Sequence, residues 1–144
     1  MLSRNLNKRN TAGFTLIELL VVIGIIGILA SIVLMSLNAA RKKGRDASAI
    51  GSLSSIRTQA EIYFNTTESY AGLCTTDLQV GTLVTAATTQ TGNPAICSDD
   101  PGGVLYIAHV TLTDDVTDFC IDSSGFAGKV VTNSEDFGTF ICNP

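Results

Sequence analysis

The sequence predicts an α+β protein in which one long N-terminal helix packs on a small antiparallel β-sheet head. Three observations predict this fold class. Residues 14–37 form an apolar run with one charge, a helical period continues to about residue 66, and short segments rich in Val, Ile, Leu and Tyr follow. A helix followed by consecutive strands is typical of α+β domains.

The apolar run is long enough to cross a membrane, since residues 14–37 would span roughly 36 Å as a helix at about 1.5 Å per residue. A secretory signal peptide would have a shorter apolar core and a small-residue cleavage site, and the segment NAARKKGRD after Leu37 offers none. An ordinary single-pass anchor explains the length but not Glu18, because a carboxylate inside a membrane is costly and needs a partner.

Glu18 is therefore predicted to be an assembly residue. A cut between Gly13 and Phe14 would create a new α-amino group, which is a cation that could pair with this carboxylate. Within one helix the amine is poorly placed, so a neighbouring helix is the better partner. A basic leader, residues 1–13, precedes the cut and carries Arg4, Lys8 and Arg9.

The segment GFTLIELL (13–20), followed by VVIGIIGILASI, resembles the N-terminus of a type IV pilin or pseudopilin. The resemblance implies that prepilin peptidase cleaves after Gly13, that Phe14 is then N-methylated, and that Glu18 pairs with the Phe14 amine of an adjacent subunit. It also implies a type IV pilin-like fold and a homo-oligomeric helical filament. The subunit would be stored in membrane lipid and assembled at an inner-membrane platform.

One position departs from the family pattern. Many type IV pilins carry a proline where this chain has Met35, and residues 14–66 contain no proline. A proline kink is therefore not expected. Gly24 and Gly27 are either weak points of the helix or sites of close helix packing.

The membrane topology of the chain is predicted from its cysteines, because the charges that flank the apolar run do not decide it. Three basic residues precede the apolar run and four follow it, Arg41, Lys42, Lys43 and Arg45. All four cysteines lie after the apolar run. They do not form the closely spaced pairs that are typical of zinc sites. Two disulfides are expected, which places the C-terminal part in an oxidising compartment outside the cytoplasmic (inner) membrane. After assembly the subunit would lie in an extracellular pilus.

Four cysteines allow three connectivities, and sequence alone does not choose among them. We expect sequential pairing, Cys74 with Cys97 and Cys120 with Cys142. The second pair resembles the disulfide-bounded C-terminal loop of many type IV pilins.

Four segments organise the chain: a leader (1–13), a transmembrane and assembly helix (14–37), an amphipathic continuation (38–66) and an extracytoplasmic head (67–144). The continuation is predicted from an apolar stripe at Ile50, Leu53, Ile56, Ala60 and Tyr63/Phe64. Residues 66–103 are predicted to be a long loop pinned by two cysteines. Strands are predicted at 103–112, 118–122, 128–132 and 137–142, with SSGFA as a hairpin connection.

No enzyme is expected from this sequence. His109, the single histidine, lies in the middle of a predicted strand, where a structural role is expected, and no nucleophile or phosphate-loop motif is present. No cofactor is expected, with calcium as the weak exception. The candidate ligands are Asp114, Asp115 and Asp118, and pseudopilins of the major class use such a site. Their spacing does not match an EF-hand, so a solvated acidic face is the simpler interpretation.

The charge of the head limits its partners. From Glu61 onward there are 11 acidic residues and one basic residue, Lys129. Nucleic acid is therefore not an expected partner of the head. The basic cluster of residues 41–45 is predicted to meet anionic lipid headgroups before assembly or acidic surfaces of neighbouring subunits afterwards.

The function expected from these features is that of a structural pilin subunit in a type IV pilus-like filament. One alternative is a pseudopilin of a type II secretion system, which the missing proline favours mildly. Another is a minor pilin that acts as a binding module for adhesion or uptake.

Overall fold

The computed structural model describes residues 13–131, 135–136 and 140–142. The chain divides into two compact units, with the boundary after Asn38. One helix, α1 (Leu16–Thr67), contributes to both units. The prediction of a single helix over 14–66 is confirmed, and Gly44 does not interrupt it. Residues 1–12, which hold most of the predicted leader, lie outside the described residues.

In the first unit, all of residues 13–38 are exposed. Large apolar side chains remain open, among them Leu16 (89%) and Ile17 (71%). By length and composition α1 could cross a membrane, with a mean hydropathy of 2.9 in its most apolar window and none of that window buried. Since the hydrophobic effect scales with exposed apolar area, this unit requires lipid or other helices around it.

The second half of α1 supplies one side of the core of the head. Ala49, Leu53, Ile56 and Ala60 are buried, at the steps of three and four residues that the sequence predicted. They belong to one apolar cluster with strand residues such as Tyr106 and Val110. The expectation that this helix packs on a sheet is therefore confirmed.

The prediction of a long loop over residues 66–103 is wrong. This stretch contains α2 (Leu73–Thr76), α3 (Leu78–Thr91) and β1 (Ala95–Asp99). The Asp77 side chain caps α3 by accepting a hydrogen bond from the Val80 N–H at 2.9 Å. Gly92 ends the helix in a left-handed conformation, with φ 83°.

Threonines concealed α3 from the sequence analysis, because β-branched residues have low helix propensity. In the structure the Thr85, Thr88 and Thr89 hydroxyls donate to backbone carbonyls four positions earlier. The buried face, Val80, Ala87 and Thr91, follows helical spacing and was the signal that could have revealed the helix.

The remaining strands are β2 (Tyr106–Thr111), β3 (Thr117–Asp122), β4 (Ala127–Val131), β5 (Glu135–Asp136) and β6 (Ile141–Cys142). The first four strands form an antiparallel sheet in the order β1-β2-β3-β4, and β5 pairs with β6. The three predicted strands from residue 103 to 132 are confirmed with small changes at their ends. Of the fourth predicted strand, residues 141–142 form β6 and 137–139 lie outside the described residues.

The sheet has two covered faces. One packs on α1 through alternate residues of β2 and β3, including Tyr106, Val110 and Ile121. The other holds Ile107, Cys120 and Val130, which cluster with Cys142 of β6. The C-terminal strand therefore covers the face opposite α1.

Candidate processing and assembly site

The Gly13–Phe14 bond lies in exposed, non-helical chain just before α1. The Phe14 side chain is 87% exposed. A Cβ added at Gly13 would meet no atom within 4 Å, and this residue is not in the left-handed region where glycine is favoured. Nothing in the described fold therefore requires glycine at this position.

Glu18 and Thr15 form a reciprocal cap at the start of α1. One Glu18 oxygen accepts hydrogen bonds from the Thr15 N–H at 2.9 Å and from the Thr15 hydroxyl at 2.8 Å. In return the Glu18 N–H donates to the Thr15 hydroxyl oxygen at 3.3 Å. This Thr-x-x-Glu arrangement is a capping box, which satisfies helix N–H groups that otherwise lack partners. The sequence analysis assigned Glu18 to assembly alone and missed this second role.

The cap leaves part of the Glu18 carboxylate available. Within the described chain, both bonds to the carboxylate use Oε2, and Oε1 accepts none. A shallow groove of about 360 Å³ runs beside it and is lined by Phe14, Ile17, Val21 and Val22. The site is thus an apolar surface with one exposed carboxylate oxygen, which suits an apolar helix that brings a cation.

Both disulfides lie in the head. Cys74 pairs with Cys97 at a Cα–Cα distance of 5.5 Å, and Cys120 pairs with Cys142 at 6.0 Å. This is the sequential pairing expected from the sequence. The first ties α2 to β1, and the second ties β3 to β6.

The three calcium candidates are engaged in separate interactions. Asp114 accepts hydrogen bonds from the Thr117 hydroxyl and from the Val116 N–H within its own turn, and these bonds lower its pKa. Asp115 accepts one from the Asn93 side chain, and Asp118 faces His109. Among the described residues no group of three His, Cys, Asp or Glu side chains is placed to hold a metal ion. Their geometry therefore gives calcium binding no support.

A buried polar row on the face opposite α1 was missed by the sequence analysis. His109 Nδ1 lies 3.5 Å from the Asp118 carboxylate, and both side chains are almost fully buried. Burial lowers the pKa of His109, and the Asp118 charge partly offsets this effect. The buried Asp122 carboxylate accepts hydrogen bonds from the backbone N–H groups of Ser124, Phe126 and Cys142. The Asp122 carboxylate thus holds the β3–β4 turn and the C-terminal strand, which is a structural role.

The segment that contains this site also matches a family of known proteins. Residues 8–34 match the family described as the prokaryotic N-terminal methylation motif. The chain is 32% identical over 107 residues to the type II secretion system core protein G of Dickeya chrysanthemi, which covers 69% of this chain and 68% of that protein. The chain belongs to the type IV pilin and pseudopilin family. Members of this family are structural pilins.

A second relative matches a shorter part of the chain. The type IV wide pilus major component PilA4 of Thermus thermophilus is 45% identical over 62 residues, which is 43% of this chain and 47% of that pilin. The match thus spans about half of that relative. No solved structure gives a significant match.

Proposed function

We propose that this chain is a structural subunit of a type IV pilus-like filament. The observation that carries the proposal is the exposed apolar first half of α1, which has one carboxylate, Glu18, shortly after the exposed Gly13–Phe14 bond. Such a surface is stable only in lipid or among other apolar helices. A membrane stores the single subunit, and a filament core of packed α1 helices replaces the lipid after assembly.

Processing supplies the cation that the assembly site lacks. Prepilin peptidase removes residues 1–13 by cleaving after the exposed Gly13, and the new Phe14 amine is then N-methylated. The match of residues 8–34 to the N-terminal methylation motif supports this step. The methylated amine keeps its charge and pairs with the Glu18 oxygen of an adjacent subunit that the capping box leaves open.

The charge pair gives the packing its register. An apolar helix can slide along another with little change in contact, whereas a carboxylate left alone in a filament core is an unpaired buried charge. Only the stagger that brings one subunit's amine to the next subunit's Glu18 avoids this penalty. Because the pair joins two copies of one chain, the assembly is a homo-oligomer, and we propose that it is built at an inner-membrane platform.

A pseudopilin of a type II secretion system is the second candidate. It is favoured by the extent of similarity to the Dickeya core protein G and by Met35 in place of a helix proline. In that case the processed subunit is expected to stay in the membrane fraction. The disulfide-bounded C-terminal segment between Cys120 and Cys142 favours the pilin.

Mass spectrometry of membrane and sheared extracellular fractions distinguishes the two candidates. A chain that begins at Phe14 with one added methyl group, found in the sheared fraction, is expected for a filament pilin. The same processed chain confined to membranes would favour the pseudopilin. A chain that still begins at Met1 in both fractions would overturn the processing step and with it the proposed function.

A further inference from the structure

Four exposed cations on α1, Arg41, Lys42, Lys43 and Arg45, lie close together just after the apolar run. We call this set the basic collar. Within the described chain none of its members has a carboxylate within 4 Å, since the one ion pair recorded there joins His109 and Asp118. A Cβ added at Gly44 would meet no atom within 4 Å, so the space beside the collar is open.

The carboxylate closest in sequence does not neutralise the collar. Asp46 accepts hydrogen bonds from the Thr113 N–H at 2.9 Å and from the Thr113 hydroxyl at 3.1 Å. Its charge is thereby directed to the β2–β3 turn. Among the described residues no carboxylate neutralises the collar, so its positive charge is available to a partner in another molecule.

The opposite charge is found at the far end of the same helix. Glu61 and Glu68 are exposed there, and Asp100 lies in a turn whose Gly103 carbonyl accepts a hydrogen bond from the Tyr70 N–H at 2.8 Å. We call these three residues the acidic rim. Glu61 accepts one hydrogen bond, from the Tyr70 hydroxyl at 3.2 Å. In the described chain no cation lies within 4 Å of any rim carboxylate.

The two surfaces cannot pair within one molecule. Lys43 and Glu61 are separated by roughly 27 Å along the helix at about 1.5 Å per residue, whereas an ion pair requires about 4 Å. We propose that the basic collar of one subunit docks on the acidic rim of a second copy displaced along the helix axis. This inference rests on the proposed function and adds the contact between heads that accompanies packing of the apolar helices.

The symmetry of this contact fits a filament. The collar and the rim are different surfaces of one chain, so their contact is heterologous, and repetition of a heterologous contact without closure produces an open helical assembly. Complementary charge also steers subunits toward the correct stagger and opposes wrong ones. Anionic lipid headgroups are the competing partner of the collar, and they predict no involvement of the rim.

Charge reversal in the full chain separates these possibilities. The collar variant is K42E with K43E, the rim variant is E61K with E68K, and a fourth chain carries all four substitutions. K129E is the control, because Lys129 is an exposed cation of β4 outside both surfaces. Each two-residue reversal is expected to lower the yield of sheared filaments by about tenfold or more, since like charges across an interface are strongly unfavourable. The fourfold variant is expected to return close to the wild-type yield, and K129E to leave the yield unchanged.

If the wild type forms filaments but the fourfold variant does not regain the filament yield, the docking proposal is overturned and the proposed function is not. A second result would also overturn the docking proposal. If the rim variant forms filaments normally and the collar variant is lost from membranes, the collar binds lipid and not the rim. Absence of the wild-type chain from sheared filaments would overturn both this inference and the proposed function.

Disulfide cross-linking tests the contact directly, without a comparison of filament yields. Sheared filaments of a chain that carries K43C and E61C are expected to contain a ladder of disulfide-linked oligomers. Filaments of the control chain, which carries K129C and E61C, are expected to contain none. Equal ladders from the two pairs would overturn the proposed contact.

Discussion

The Asp46 carboxylate on α1 holds both the backbone N–H and the hydroxyl of Thr113, 67 positions later in the chain. The contact ties the beginning of the amphipathic half of α1 to the turn between β2 and β3. Apolar packing fixes the face of the helix that meets the sheet, but it does not fix the position along the helix axis. This directional pair of hydrogen bonds supplies that position.

Asp46→Ala is expected to lower the free energy of unfolding of the head by about 1–2 kcal/mol, because it leaves the Thr113 donors without their charged acceptor. Asp46→Asn retains one acceptor oxygen and is expected to cost less. Urea unfolding of the full chain in detergent, followed by tyrosine fluorescence, measures this, since Tyr70 and Tyr106 lie in the core of the head and Tyr63 packs against that core. Glu68→Gln is the control for loss of one exposed carboxylate, and an equal effect of the control and Asp46→Ala would contradict the assignment.

The two functions of Glu18 can be separated by substitution. E18Q keeps an oxygen that can accept from Thr15 but has no charge, whereas T15V removes the hydroxyl and keeps the Glu18 charge. We expect E18Q to abolish sheared filaments while the processed chain stays in the membrane, because the Phe14 amine then lacks its counterion. We expect T15V to retain filaments. Immunoblots and intact masses of both fractions measure this, and filaments from E18Q at the wild-type level would show that the charge is dispensable.

The single histidine makes the stability of the head depend on pH. Burial holds the pKa of His109 below its unfolded value of about 6.5. The unfolded chain therefore binds a proton at a higher pH than the folded chain does. The stability contribution is complete above the unfolded pKa and is lost as pH falls from about 6.5 toward the folded pKa, with a slope of at most about 1.4 kcal/mol per pH unit.

His109→Gln is expected to remove this pH dependence between about pH 7.5 and 5.5, whatever it does to the absolute stability. The measurement is the urea midpoint of the full chain in detergent across this range. The unsubstituted chain has no other histidine, so its midpoint should decrease with pH while that of the variant stays flat. Parallel slopes in the two proteins would assign the effect to carboxylates instead.

Most of the fold could be predicted from local sequence patterns. The features that were missed depend mainly on contacts between residues far apart in the sequence. The spacing of Leu53, Ile56 and Ala60 was sufficient to predict the buried face of α1 because helix periodicity is a local property. The pairing of His109 with Asp118 depends on the register of β2 against β3, which places Thr111 opposite Asp118. No single segment contains that register. α3 was missed for a different reason, because its low intrinsic propensity is overcome by packing and by two caps.

Tyr70 and Gly103 mark the place where the turn of residues 100–103 meets the end of α1, and glycine is required there. Gly103 has a φ of 72°, and an added Cβ would overlap the Ser69 side chain and lie 3.2 Å from the Ala71 nitrogen. Gly92 has a similar φ of 83°, but a Cβ there would meet no atom within 4 Å. A comparison of alanine substitutions at these two glycines therefore distinguishes the cost of backbone strain from the cost of steric overlap.

Gly103→Ala is therefore expected to cost more than Gly92→Ala. The strain of a left-handed alanine is common to both variants and amounts to about 1–2 kcal/mol, and only Gly103→Ala adds displacement of the Ser69–Ala71 segment. That displacement also weakens the hydrogen bond from the Tyr70 N–H to the Gly103 carbonyl, which is 2.8 Å long. Urea unfolding of both variants in detergent measures the difference. Equal losses would mean that the chain at Ser69 moves aside freely, and that the turn does not depend on a close approach of the two backbones.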